Sequence, residues 1–245
     1  PVDRIQRCPT VEHPRHKNGA WWWDGRRGWV SAWDSGGDIH WFNDPNQSWT
    51  DADKRAWAAK RISFRSAEER KHEMAAQRAG VILRACKVTK HGYLNLKGLG
   101  EVQALVTPDD DLFVPMRSLS NDLMGAQIIH WESEERKWTK KMLPGMRARG
   151  AVFRIGRRDA AETVLCEGYA TGLSIQAAIT LTRLNMAVLV CFSDSNLVHV
   201  APMVKGRVIV FADNDASGAG ERAAVATGFP WCMSETVGED ANDWH

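Results

Sequence analysis

Three short, nearly all-apolar runs in the last third of the chain, residues 163–166, 187–192 and 207–211, constrain its fold more than any other feature. Apolar side chains fall on both alternations of each run, the pattern of strands covered on both faces of a parallel sheet. Helical composition at 171–183 and 218–227 separates them. The order strand, helix, strand, strand, helix predicts an α/β domain with a parallel sheet flanked by helices. In such sheets functional groups collect beyond the carboxyl ends of the strands, and the acids of this sequence stand there. Glu167 follows the first run, with Gly168 allowing a close turn into the next helix, and Asp213 and Asp215 follow the third. Asp194 and Asn196, after the second run, belong either to the rim of the same crevice or to a simple turn. Residues 238–243, Gly-Glu-Asp-Ala-Asn-Asp, add a further acidic cluster.

Carboxylates gathered this closely repel one another unless cations neutralise them, and an all-oxygen site suits Mg²⁺ or Mn²⁺. One or two such ions orient a triphosphate, acidify an attacking hydroxyl and stabilise a leaving pyrophosphate. A lone Asp-x-Asp carries little weight, since acidic turns are common. Glu-Gly after one buried strand, Asp-x-Asp after another and a downstream acidic cluster form a far more specific combination.

The rest of the chain has a different character. Eight of the twelve tryptophans lie in the first 57 residues, punctuated by Asp24-Gly25, Gly28 and Gly36-Gly37, which predicts short antiparallel strands and tight turns. Alternation puts Trp22 on the opposite face from Trp21 and Trp23. Trp22 and Trp29 are candidates for stacking on unpaired bases, the alternative being that the tryptophans form the core of a small β unit. Thr50 or Asp51 is placed to cap a helix over 53–61, and helical composition resumes from Ser66 to about Ala79, ending at Gly80. Its polar face is mostly basic, fit for a polyanion or simply for solvent. From Lys90 to about Gly150 short strands are expected at 112–116, 125–130 and around Trp138, with basic residues between them.

Net charge is only +2, but it is unevenly spread: Lys and Arg outnumber Asp and Glu by 12 to 5 in residues 51–100 and trail them by 7 to 11 in residues 151–245. A basic middle beside an acidic end suits an enzyme that holds a polyanion with one part and cations with another. No run approaches the roughly 18 apolar residues of a membrane span, and residues 1–10 lack the apolar core of a secretory signal, so a cytoplasmic location without membrane contact is expected. Cys8, Cys86, Cys166, Cys191 and Cys232 are scattered without a C-x-x-C pair; free thiols are expected and structural zinc is not.

The segments VLCEGYATGLSI, VIVFADNDASGAGERAA and VGEDANDWH resemble the three motifs of the Toprim domain, shared by bacterial-type primases, topoisomerases and some nucleases. More narrowly, the order HGYLNLKGL, LFVPMRS, GAQIIHWE, KWTKKMLPG, EGYATGLSI, SDSNL, ADNDASGAG and EDANDW is similar to primases of phages, plasmids and mobile elements, relatives of the bacterial replicative primase. The similarity spans about Lys90 to His245. It implies that Glu167 is the acid at the reaction centre and that Asp213 and Asp215 complete the catalytic set and hold metal with it. Asp240 and Asp243 would serve a second metal, with Asn242 alongside. Arg117, Lys137, Lys140 and Lys141 match the basic subdomain that contacts template and nucleotide in relatives, and Asn196 joins Asn242 as a nucleotide or template contact. The replicative primase has an acid four residues after its glutamate, where this chain has Thr171, a feature it shares with the mobile-element branch.

The resemblance implies a DNA primase, a DNA-directed RNA polymerase that makes short RNA primers from NTPs on a single-stranded DNA template, with a replicative helicase as a partner in cis or in trans. A metal-dependent nuclease and a non-catalytic single-strand-binding replication accessory are the alternatives. The expected organisation is a Trp-rich β subdomain at 1–49, a basic helical connector at 50–80, a basic α+β subdomain at 81–154 and a Toprim catalytic domain at 155–245.

Overall fold

The computed structural model of the protein describes residues 4–25, 27–32, 38–43 and 50–244, which divide into two compact units, 1–68 and 69–245. Trp33, Trp49 and the Gly36-Gly37 turn lie outside the described residues. In the first unit β1 (Gln6–Cys8), β2 (Gly19–Trp23), β3 (Arg27–Ala32) and β4 (Ile39–Asn43) form an antiparallel sheet in chain order. Gly28 lets β2 and β3 meet, since a Cβ there would stand 2.0 Å from the Trp22 carbonyl oxygen.

Trp22 and Trp29 are direct cross-strand partners, so both rings point to one face of this sheet. They are 2% and 7% exposed, packed with Trp41, Trp57 and Phe64. The expectation that they stack on bases is therefore corrected: alternation does separate Trp22 from Trp21 and Trp23, but the face it takes is the core. Lys60 Nζ lies 4.3 Å over the Trp22 ring and further covers it.

Helix α1 (Asp51–Ala85) runs without a break. Thr50 opens it with a capping box, its Oγ1 accepting from Asp53 N at 3.1 Å while its own N–H donates to Asp53 Oδ2 at 3.1 Å. The interruption expected after residue 61 is absent because Phe64 is anchored edge-on to Trp22 at 5.5 Å between ring centroids. Gly80 does not stop the helix either. Ala75 and Ala79 are fully buried beside it, with Ala79 packed against Phe113 and Ala126, and this packing outweighs the roughly 1 kcal/mol that a mid-helix glycine costs.

In the second unit β5 (Lys87–Thr89), α2 (Gly92–Leu96), β6 (Ala104–Val106), β7 (Leu112–Arg117), β8 (Leu123–Glu132) and β9 (Lys137–Met142) build a five-stranded antiparallel sheet in chain order with one short helix. Then come β10 (Phe153–Ile155), β11 (Glu162–Cys166), α3 (Tyr169–Thr182), β12 (Met186–Val190), α4 (Asp194–Val200), β13 (Arg207–Ala212), α5 (Ala219–Thr227) and β14 (Trp231–Met233). These strands form a sheet of order β10-β12-β11-β13-β14, parallel except for the edge strand β10.

The sequence pattern placed two strands in succession where the structure has β12, α4 and β13. Two parallel strands of one sheet require a crossover, and α4 supplies it. Because β12 and β13 flank β11 on opposite sides, the strand order reverses there, which opens a crevice at the carboxyl ends of β11 and β13. The two sheets of this unit are tied by Arg117 and Val152, which exchange backbone hydrogen bonds of 2.8 and 2.7 Å. They also share a core in which Tyr93, Leu94, Leu112 and Ile129 meet Tyr169 and Ala170. No helix among the described residues is long and apolar enough to cross a membrane.

Candidate functional site

Glu167 leaves β11 directly after the fully buried Cys166. Hydrogen bonds from Cys191 N to Cys166 O at 2.8 Å and from Phe192 N to Glu167 O at 2.9 Å continue the pairing with β12 past the strand end and fix the backbone of the acid. Asp194 opens α4, whose N-cap Ser193 accepts from Asn196 N at 3.3 Å. Asp213 follows β13, and α5 begins directly against it. A Cβ on Gly220 would fall 2.2 Å from Asp213 O, so only glycine permits this approach.

The electrostatics show that these side chains face one another. Burial first, then the charge and hydrogen bond of Asp194, then Asp213 and Asp215, push Glu167 up to about 8. Burial, Asp240 and Asp194 push Asp213 up to about 6, opposed by the ammonium of Lys140. Asp213 Oδ1 is buried and has no hydrogen-bond partner among the described residues. Asp215 behaves differently: Ser217 first, and the amides of Gly220, Ser217 and Ala219, hold it down at about 2. Its Oδ1 accepts from Ser217 N at 2.8 Å and its Oδ2 from Gly220 N at 3.1 Å. It is thus the anion at the N-terminus of α5, where backbone amides point outward without helical partners.

The acidic tail is tied into the same centre. Asp240 Oδ2 accepts from Thr171 Oγ1 at 2.9 Å and Oδ1 from Asn242 N at 2.6 Å. Gly238 N donates to Asn214 O at 2.6 Å and Asn214 Nδ2 to Ser234 O at 3.0 Å, joining the tail to the loop between Asp213 and Asp215.

Two expected nucleotide contacts, Asn242 and Asn196, need correction, and Asp243 lies at the surface. Asp243 is exposed and its Oδ2 accepts from Asp240 N at 2.8 Å, so it closes a turn beside Asp240. Asn242 is buried, with Nδ2 donating to Lys97 O at 2.8 Å and Ser174 Oγ at 3.0 Å. Asn196 is buried as well: Gly150 N donates to its Oδ1 at 2.7 Å, and its Nδ2 donates to Ala151 O at 2.8 Å and Cys191 O at 2.7 Å. Both amides hold backbone together and are not presented to a nucleotide. In a loop that must be buried, an asparagine is the side chain that satisfies N–H and C=O groups at once.

Among the described residues no group of three or more His, Cys, Asp or Glu closes into a metal cage. Mg²⁺ does not demand one, since it keeps several waters and is held by one or two carboxylates together with substrate phosphates. The orphaned Asp213 oxygen and the mutual repulsion of Glu167, Asp194, Asp213 and Asp240 fit such a cation.

Beside the acids runs a groove of about 510 Å³ lined by Tyr93, Trp131, Trp138, Arg136, Lys137 and Lys140 among others. Lys140 reaches over the Tyr93 ring at 5.6 Å and its charge is felt at Asp213. Lys137 is paired with Glu135 at the rim. Lys141 alternates to the other side of β9, 3.9 Å from Glu132, and Arg117 lies away from the groove with its guanidinium donating to Asn121 O at 3.0 Å. The aromatic lining was not anticipated from sequence. Its signal was there, because Trp131 and Trp138 stand at equal distances from the 133–136 turn and pair across the hairpin, 5.2 Å between centroids.

A mostly parallel open sheet with ionisable acids at the carboxyl ends of two adjacent strands defines the class to which this last part of the chain conforms. Residues 162–229 match the family model of the Toprim domain, a domain common in metal-dependent enzymes that act on nucleic acids. The match takes in β11 to α5 and hence Glu167, Asp194, Asp213 and Asp215, but neither the groove nor the acidic tail. No match to the chain was found among curated proteins.

Proposed function

We propose that this chain is the primer-synthesising part of a DNA primase, polymerising NTPs on single-stranded DNA. The observation that carries this reading is the adjacency of two opposite surfaces. Glu167 and Asp213 need a cation, and Lys140, in contact with Asp213 through its charge, begins a groove of aromatic rings and basic side chains fit for a single strand. In the reaction a primer 3′ hydroxyl forms a bond to the α-phosphorus of an NTP, the bond from that phosphorus to the β-phosphate bridge breaks, and pyrophosphate leaves.

The chain's own residues would position and neutralise. Trp131 and Trp138 would stack the template, Lys137 and Lys140 would hold phosphates, and Asp213 with Glu167, Asp215 or Asp240 would hold Mg²⁺ or Mn²⁺. The cation supplies charge stabilisation to the triphosphate and acidifies the hydroxyl. Glu167 lies close to its own pKa near neutrality, the condition under which a carboxyl exchanges a proton with a reacting oxygen. A replicative helicase, in cis or in trans, would be the natural partner. In this reading residues 1–49 form a Trp-rich β subdomain, 50–80 a basic helical connector, 81–154 the basic subdomain and 155–245 the catalytic domain.

The test is synthesis of labelled oligoribonucleotides on single-stranded templates with Mg²⁺ or Mn²⁺. Product is expected from the wild type and is expected to vanish in Asp213→Ala and Glu167→Gln. Shortening of labelled DNA without nucleotides, and no oligomer with them, would replace this reading by a nuclease.

A further inference from the structure

A second cavity, of about 210 Å³, lies apart from the acids, between the turn that follows β7 and the edge strand β10. Arg117, Arg154 and Arg158 line it together with Ser118, Asn121 and Gly156, and no carboxylate is in its wall. We propose that this cavity is an anion site that takes a phosphate group, gripped by Arg117, Arg154 and Arg158.

The fold fixes two of the three cations, and Arg158 follows in the loop after β10. Arg117 is fixed to the edge of the parallel sheet by its paired backbone hydrogen bonds with Val152, two residues before Arg154. Its Nη1 donates to Asn121 O at 3.0 Å, which steadies one branch of the guanidinium and leaves the other free to donate. Arg154 stands in β10 opposite Leu189, half-buried, and among the described residues no carboxylate pairs with it. Burial and the charge of Arg158 both press its pKa down.

The acids nearest in sequence to the lining residues already have partners. Asp159 is taken by Arg157 through bonds of 2.9 and 2.7 Å to both of its oxygens, and Asp122 accepts from the hydroxyls of Ser118 and Ser120 at 3.1 and 2.8 Å. Three guanidinium groups around one partly enclosed space repel one another until an anion enters, and their planar forks match phosphate oxygens in pairs.

Size and place narrow the ligand. The cavity, about 210 Å³ and partly open to solvent, has room for at least one phosphate group. Strand β10 is separated from β11 by β12 alone, so the cavity lies roughly 10 Å across the sheet from the strand that carries Glu167, at ~4.8 Å per strand. A phosphate there is either part of a strand's backbone or the tail of a free nucleotide. The inference rests on phosphate chemistry and not on polymerisation, so it stands whether the acidic centre synthesises or cleaves.

The experiment titrates full-length protein with inorganic pyrophosphate in one arm and a short single-stranded oligonucleotide in the other. Chelator is present throughout, so that no metal bridges a phosphate to the acids. Wild type is compared with Arg154→Gln, Arg158→Gln and the double variant, and with Asp213→Asn as a control outside the cavity. Thermal unfolding checks the fold; loss of a half-buried unpaired cation is expected to leave the melting temperature unchanged or higher. A tenfold or greater loss of pyrophosphate affinity in the double variant, absent in Asp213→Asn, supports the site and a free phosphate tail as its ligand. A comparable loss confined to the oligonucleotide, with the salt slope of log K shallower by about one for each arginine removed, supports a backbone phosphate. Affinities within threefold of wild type in both arms, in a folded double variant, overturn the proposal.

Discussion

Glu167→Gln separates stability from function more sharply than any other substitution in this protein. A carboxyl whose folded pKa is raised costs stability wherever the unfolded chain is ionised and the folded one is not. The unfolded state then binds fewer protons, so the metal-free protein is expected to lose stability as pH rises from the ordinary glutamate value of 4.5 towards about 8. At 1.36 kcal/mol per pKa unit this amounts to on the order of 4 kcal/mol by pH 8, an upper bound because the neighbouring acids titrate with it. Glutamine keeps the shape, can donate to Asp194 as the protonated acid does, and removes the titration. Urea unfolding in chelator at pH 5 and pH 8 reads the outcome: near-equal stabilities at pH 5, and a variant more stable than wild type by roughly 2–4 kcal/mol at pH 8, while the metal-dependent activity of the centre is lost. A variant no more stable at pH 8, or one equally stabilised at pH 5, would refute the view that these acids are held together against their repulsion.

Four further outcomes are expected. Mg²⁺ or Mn²⁺ should raise the melting temperature of the wild type more at pH 8 than at pH 5, and the increment should shrink in Asp213→Asn, as differential scanning fluorimetry would show. Asp215→Ala should cost about 1–2 kcal/mol at pH 7 by removing the N-terminal anion of α5. Because Asp215 is depressed to about 2, its contribution should be complete above the ordinary aspartate range and disappear as pH falls through 2, visible in acid unfolding curves. Asn196→Ala should cost on the order of 3 kcal/mol in urea unfolding, since it strands an amide and two carbonyls in a buried loop. Trp138→Ala should weaken single-strand binding by roughly 1–3 kcal/mol in fluorescence anisotropy without abolishing folding.

What the sequence disclosed, and what it withheld, follows from how far each signal acts. Strands β11, β12 and β13 were legible because burial on both faces leaves no room for polar residues, and the acids after them were legible because strand ends are where a parallel sheet exposes side chains. Helix α4 was hidden, since seven residues are too few for periodicity and Ser193, Asp194 and Ser195 read equally well as a turn. The roles of Asn196 and Asn242 were hidden for a different reason: their partners, Gly150 and Lys97, are 46 and 145 residues away along the chain, and local pattern says nothing of contacts at that range. Trp22 and Trp29 show that composition identifies a face but not its direction. The ring that could have met a base instead meets Trp57 and Phe64 of a helix.

The carboxylates of the centre are unequal, and the inequality explains how so many are tolerated. Asp215 is stabilised as an anion by the amides of α5, and Asp240 by a hydroxyl and an amide, so the burden of repulsion falls on Glu167 and Asp213, which are pushed up by burial and by their neighbours' charges. Thr171 is the residue that makes this arrangement consistent. It is 1% exposed, and its hydroxyl donates to Asp240 from the first turn of α3, at the position where the resemblance to replicative primases would put an acid. An acid there would set a like charge against Asp240 and take away its donor. Threonine instead orients Asp240 towards Asp213, whose pKa it raises more than any other charged neighbour does. With threonine at 171 the buried site carries no further acid there and the charge of Asp240 still acts on Asp213, so the cation demand of the centre is greatest at Glu167 and Asp213.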